Sequence, residues 1–136
     1  MLNSTKVGSA MRSPFITAVP QDTILSVAQK MIENDIGAVV VVENDKPVGL
    51  ITERDIVEGI LKWYNRLSES NAKDIMSSPI LSIEEDKTIG EALDFMRKKG
   101  VRRLGVTRKH KLVGIVTERR LLDVIRKTLK TLVENI

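Results

Sequence analysis

The chain has 136 residues, the size of one ordinary domain, with no cysteine and a formal net charge of +4. Without cysteine there are no disulfides, thiolate nucleophiles or cysteine-based zinc sites. The longest apolar run, residues 36–42, is far short of the roughly 20 residues of a membrane helix. The opening MLNSTKVGSAM also lacks the basic head and apolar core of a secretory signal, so a cytoplasmic protein without membrane attachment is expected.

The first element after Met11-Arg12-Ser13-Pro14 is a short extended piece, Ile16 to Val19. A helix follows, with Ile24, Val27, Ala28, Met31 and Ile32 spaced as one buried stripe on a 3.6-residue period. Ala38 to Val42 is a β-branched run suited to a strand buried on both faces. The polar turn Glu43 to Lys46 separates it from a second strand, Pro47 to Ile51, making a hairpin. Thr52 stands where the next helix begins, and Ile56, Val57, Ile60 and Leu61 continue that helix. Trp63 and Tyr64 end it, with Trp63 expected to pack on the linker or on a second subunit. The linker runs on to Asn71, ending in the polar SESN.

The same elements then return. Met76-Ser77-Ser78-Pro79 repeats the MxSP entrance, and Thr88 with Glu91 forms a capping box before the stripe Ile89, Ala92, Leu93 and Met96. Strands are expected at Leu104 to Thr107 and Leu112 to Val116. Thr117 starts a last helix whose apolar stripe runs on through Leu129, Leu132, Val133 and Ile136, past the needs of its own core. GLITERD at Gly49 to Asp55 reappears as GIVTERR at Gly114 to Arg120, at the same 65-residue offset as the two MxSP entrances. The chain is thus a gapless duplication of a β-α-β-β-α unit, with domains expected at residues 1–68 and 69–136. Each half alone is too short to bury a sizeable core.

Charge divides between the halves, with seven Lys and Arg against eight Asp and Glu in residues 1–68, and fifteen against ten in residues 69–136. A basic half suits nucleic acid or a phosphorylated small molecule. The turn from the last strand of each unit into its helix is the strongest candidate site. Thr52 and Thr117 start helices whose free N–H groups and dipole attract phosphate, and Arg54 and Arg119 add a cation that phosphate accepts bidentately. Asp55 can accept from two neighbouring hydroxyls, such as those of a ribose, although Thr52 and Asp55 also read as a simple capping pair. In the second copy its place is taken by Arg120, which has no acceptor. Catalysis finds little support, because His110 is the lone histidine and has no spaced partner. Glu84, Glu85 and Asp86 read as a solvated helix entrance, and the run Arg97 to Lys99 as a complement to a helix dipole.

The doubled unit, the two MxSP entrances and the G-h-h-T-x-x-D turn resemble a pair of cystathionine β-synthase (CBS) domains over about Val7 to Lys127. The resemblance implies an α/β (α+β) fold of tandem β-α-β-β-α repeats, packed sheet to sheet about a pseudo-twofold axis, and a regulatory module rather than an enzyme. It implies clefts for AMP, ADP, ATP or S-adenosylmethionine, commonly a homodimer, and an effector protein that reads the ligand. Carried over by position, Thr52 meets phosphate and Asp55 the ribose. Thr17, Ala18 and Val19 lie along one side of the base, with Gly37, Ala38 and Val39 along the other. The second copy offers Ser82, Ile83, Arg102, Arg103, Leu104, Thr117, Arg119 and Arg120. Unequal clefts follow, with the Asp55 cleft as the nucleoside site and the Arg120 cleft empty or holding extra phosphates. The competing readings are a nucleic-acid-binding protein using the basic second half, and a structural interaction module with vestigial clefts.

Overall fold

The computed structural model describes residues 4–135, which form two compact units. One is Phe15–Ile80; the other joins the chain up to Pro14 with the chain from Leu81 onward. Five α-helices and two three-stranded sheets give a mixed α+β architecture of tandem repeats.

In Phe15–Ile80 the central strand is β2 (Ala38–Glu43), with β1 (Thr17–Ala18) parallel on one side and β3 (Lys46–Thr52) antiparallel on the other. Val39, Val40 and Val41 are all fully buried, so consecutive residues face covered surfaces and the strand has no wet side. The β2–β3 turn holds Asn44 at φ 52° and Asp45 at φ 63°, the left-handed pair that a tight hairpin requires and that Asn and Asp tolerate. β1 is shorter than the extended piece expected at Ile16 to Val19. Helix α1 (Ile24–Asn34) is started by the Thr23 hydroxyl, which accepts from the Ser26 N–H. Its Ile24, Val27 and Met31 enter the core with Ile51 and Ile56. Ile32, expected in that buried stripe, is instead 80% exposed. It stands about 100° round the helix from Met31, beyond the edge of the surface that the sheet covers. Helix α2 (Glu53–Lys62) and the one-turn α3 (Ala72–Ile75) complete the unit.

The other unit repeats this plan with β4 (Ser82–Glu84), α4 (Ile89–Lys99), β5 (Arg103–Arg108), β6 (Lys111–Thr117) and α5 (Glu118–Glu134). The strand order is again β4-β5-β6, and the hairpin turn places Lys109 and His110 at φ 50° and 67°. Ile89, Met96, Leu104 and Leu121 form the core together with Val7 and Ala10 from the start of the chain.

Those last two residues show that the spatial units are not the sequence repeats. The segment ahead of each MxSP completes the unit built from the other repeat. Ile24 N donates to Ser70 O, and the equivalent Ile89 N donates to Thr5 O. Leu50 exchanges both backbone hydrogen bonds with Ser77, and Ile115 exchanges both with Arg12. Each MxSP methionine then lies against a glycine. A Cβ on Gly49 would stand 2.5 Å from Met76 Sδ, and one on Gly114 would stand 2.6 Å from Met11 Sδ and 2.8 Å from the Arg12 carbonyl. The glycines before the two turns therefore make room for methionine. Both Ser–Pro bonds, Ser13–Pro14 and Ser78–Pro79, are cis.

Candidate functional site

In the Phe15–Ile80 unit the pairing of β2 with β3 sets Ala38 opposite Thr52, and Glu53 N donates to the Gly37 carbonyl at 3.2 Å. One end of the sheet therefore gathers Gly37, Ala38, Thr52 and the first turn of α2. Thr52 caps that helix in full. Its hydroxyl accepts from Asp55 N at 3.3 Å, while Asp55 Oδ2 accepts from Thr52 N at 2.8 Å and from Thr52 Oγ1 at 3.0 Å. The capping pair considered from the sequence is thus real. Both bonds fall on one carboxylate oxygen, so Oδ1 of the half-buried Asp55 keeps its lone pairs, and capping does not exhaust the residue as an acceptor. Two of the three first-turn N–H groups, those of Glu53 and Asp55, are already engaged, which narrows what the turn offers a phosphate.

The other first-repeat residues divide by burial. Ala18 and Val39 belong to the core, so they can present only main chain to a ligand. Thr17 is exposed, and its carbonyl accepts from Lys30 Nζ at 2.8 Å. Val19 is 45% exposed, and its N–H is held by Asp22 Oδ2 at 3.0 Å. Lys30 also pairs with Asp22 at 3.5 Å. Asp22 and Lys30 thus fix the short β1, a role that sequence reasoning missed, although an aspartate three residues after Val19 is a turn signal. Arg54 is exposed and paired with Glu58 at 3.0 Å on the next helical turn.

The second copy has the same frame with different chemistry. Arg103 pairs with Thr117 across β5 and β6, and Glu118 N donates to the Arg102 carbonyl at 2.9 Å. The Thr117 hydroxyl accepts from Arg120 N at 3.1 Å, but Arg120 cannot return the bond, so this cap is single. Arg102, Arg119 and Arg120 are exposed and Arg103 is half-buried. Leu104 is a core residue, Ile83 packs against that core, and Ser82 is exposed.

Away from these turns, Glu85 is held by Arg108 in a two-pronged pair at 2.6 and 2.8 Å, which keeps its carboxyl below the usual range. Exposed His110 lies 3.8 Å from Glu84. Among the described residues no cluster of His, Cys, Asp or Glu is arranged to hold a metal ion, and no helix is long and apolar enough to cross a membrane. Trp63 packs on the core of its unit, with Lys62 and Arg66 near its ring and its indole N–H buried without a partner.

A family model for the CBS domain matches residues 7–62 and 72–127, the two copies of the repeat. The chain belongs to the CBS-domain family. Pairs of these domains are regulatory modules. Protein MK0525 of Methanopyrus kandleri is 42% identical over 125 residues, covering 90% of this chain and 64% of that protein, so the chain spans only part of that relative. Among solved structures, the CBS domain pair of protein MJ0100, in complex with 5-methylthioadenosine and S-adenosylmethionine, superposes with TM-score 0.81. It is 24% identical and covers 91% of this chain and 98% of that one, a likeness of fold. The crystal structure of Hypoxic Response Protein I, with two coordinated zinc ions, gives TM-score 0.72 at 30% identity, covering 88% of this chain and 98% of that one.

Proposed function

We propose that this CBS pair is a non-catalytic regulatory module that binds an adenosine-containing ligand at the Thr52–Asp55 turn and passes occupancy to a partner protein, working as a pair of copies. The carrying observation is the Asp55 carboxylate, held by Thr52 through one oxygen at the sheet end that gathers Gly37 and Ala38, with its second oxygen left to accept from a ribose. The adenosine ligands of the MJ0100 pair support the ligand class by likeness of fold. Arg120 makes the second turn a poor ribose site and a better one for phosphate. Occupancy acts by stabilising whichever arrangement of the module the ligand contacts better.

Titration calorimetry of the protein with AMP, ADP, ATP, S-adenosylmethionine and 5-methylthioadenosine tests this reading, with Asp55→Arg and Arg120→Ala beside the parent. Asp55→Arg imports the residue that already follows the Thr117 cap, so the helix start is retained. Binding of one of these ligands that weakens about tenfold or more in Asp55→Arg and persists in Arg120→Ala supports the assignment, since the lost ribose contacts are worth at least about 1.4 kcal/mol. Binding that is insensitive to Asp55→Arg moves the site elsewhere. If only a short DNA duplex binds, and its affinity falls steeply with salt, the basic half is a nucleic-acid surface instead.

A further inference from the structure

Two further exchanges between the copies accompany the one at Asp55 and Arg120. Asp22, whose carboxylate holds the Val19 N–H, becomes Lys87 at the 65-residue offset, and Lys30, whose ammonium holds the Thr17 carbonyl, becomes Phe95. Lysine has no acceptor for an N–H and phenylalanine no donor for a carbonyl, so this pair cannot brace β4 as Asp22 and Lys30 brace β1. Lys87 turns instead to Glu91 at 3.9 Å, and Phe95 packs against the core of its unit. The copy with the ribose acceptor has the clamp, and the copy without the one lacks the other.

The clamp stands where a ligand held at Asp55 would next meet the protein. Val40 N donates to the Ile16 carbonyl, so Ile16 and, two residues on, Ala18 turn their main chain toward β2. Thr17 and Val19 turn theirs to the outer edge. There Lys30 Nζ donates to Thr17 O at 2.8 Å, Asp22 Oδ2 accepts from Val19 N at 3.0 Å, and Asp22 N donates to Val19 O, also at 3.0 Å. A strand of two residues is shorter than sheets usually hold, so β1 depends on these bonds for its place. Thr52 lies beside Ala38 on one side of β2, and Thr17 lies beside Val40 on the other. Two strand spacings across and two residues along separate Thr52 from Thr17 by about 12 Å. A nucleoside with its ribose at Asp55, lying across the end of β2, brings its base to β1.

We infer that Asp22 and Lys30 are positioning residues of the ligand site, fixing the edge of β1 against which the base settles and so setting the preference for adenine. This inference rests on the reading that the Thr52–Asp55 turn holds the ribose. Neither residue needs to touch the ligand. A wall fixed beforehand spares the ligand the cost of ordering it, which is how preorganisation raises affinity. The same bonds fix which main-chain groups a base finds at that edge. Loss of the clamp therefore erodes discrimination between bases as well as affinity, whereas loss of the Asp55 acceptor penalises every ligand with the same ribose alike.

Titration calorimetry with AMP and GMP, which share ribose and phosphate and differ only in the base, separates these effects. Asp22→Lys/Lys30→Phe imports the pair of the second copy, while Asp22→Asn/Lys30→Arg keeps an acceptor for Val19 N and a donor for Thr17 O. Circular dichroism checks that each variant is folded. The parent should prefer AMP. The first double variant should bind AMP at least about tenfold more weakly and lose most of that preference, and the second should keep both. Asp55→Arg should weaken both nucleotides and leave their ratio unchanged. Equal weakening in the two double variants, or a preference untouched by the first, makes the clamp a brace for the fold alone and overturns the inference while the turn reading stands. AMP binding that ignores Asp55→Arg overturns the turn reading and this inference together. A parent that binds neither nucleotide overturns the inference, and if S-adenosylmethionine also fails to bind, the reading beneath it.

Discussion

Thr88 and Glu91 show how much one side chain can do at a helix start. Glu91 accepts from both the backbone N–H and the hydroxyl of Thr88, and Glu91 N donates back to that hydroxyl. The backbone bond is the larger cause holding the Glu91 carboxyl below its ordinary value of 4.5. A carboxyl whose folded pKa is depressed contributes stability above its unfolded pKa and loses it as pH falls through the folded value. The stability curve of the parent should therefore fall below about pH 4.5, and Glu91→Gln should flatten that limb by lowering stability at neutral pH while changing little near pH 3. Urea midpoints measured from pH 3 to 7 check this. An unchanged acid limb would show that Glu85, held down by Arg108, and Asp94, held down by Lys98 and Arg97, carry it instead. This cap was legible in the sequence because its meaning is local. The engagement of Glu53 N by Gly37 was not, since it joins residues that only the hairpin brings together.

At the scale of elements, the helix periods were readable because each helix has one covered side, and β2 was readable as an unbroken β-branched run because both its faces are covered. The Ile32 error has the same origin. A helical stripe records which residues are apolar but not where the covering surface stops. The glycines before the turns teach the same lesson from the other direction. Next to a candidate phosphate turn they read as part of it, yet the structure fills their missing side chains with Met76 and Met11. Gly114→Ala should cost about 1–3 kcal/mol, the usual range for overpacking, because the nearest fixed obstacle is the Arg12 backbone carbonyl. Adding Met11→Ala should recover only part of that loss. For Gly49→Ala the obstacle is Met76 alone, and Met76→Ala should recover more. Double-mutant cycles by chemical denaturation measure both couplings, and equal recovery at the two sites would refute the distinction.

At the scale of the whole molecule, the sequence repeat gave the fold and the number of units but not which residues build each unit. A duplication is read by its offset, and an offset is blind to exchange between copies. Residues 15–80 hold a complete sheet, both helices and the Asn71–Met76 segment that closes them. Residues 1–68 lack that segment and carry an opening stretch whose partners, Ile115 and Ile89, lie in the other half. A fragment of residues 15–80 should unfold cooperatively, though with low stability for its size, whereas residues 1–68 should not. Thermal circular dichroism of the two fragments decides this, and a cooperative 1–68 would mean that the exchanged segment contributes little to folding.

The exchange also orders events during synthesis. The unit in the middle of the chain has all its parts once residue 80 has left the ribosome. Residues 5–12 must wait, since Thr5 bonds to Ile89 and Arg12 to Ile115. The stretch ahead of the first MxSP is therefore made before the middle unit yet finds its place after it.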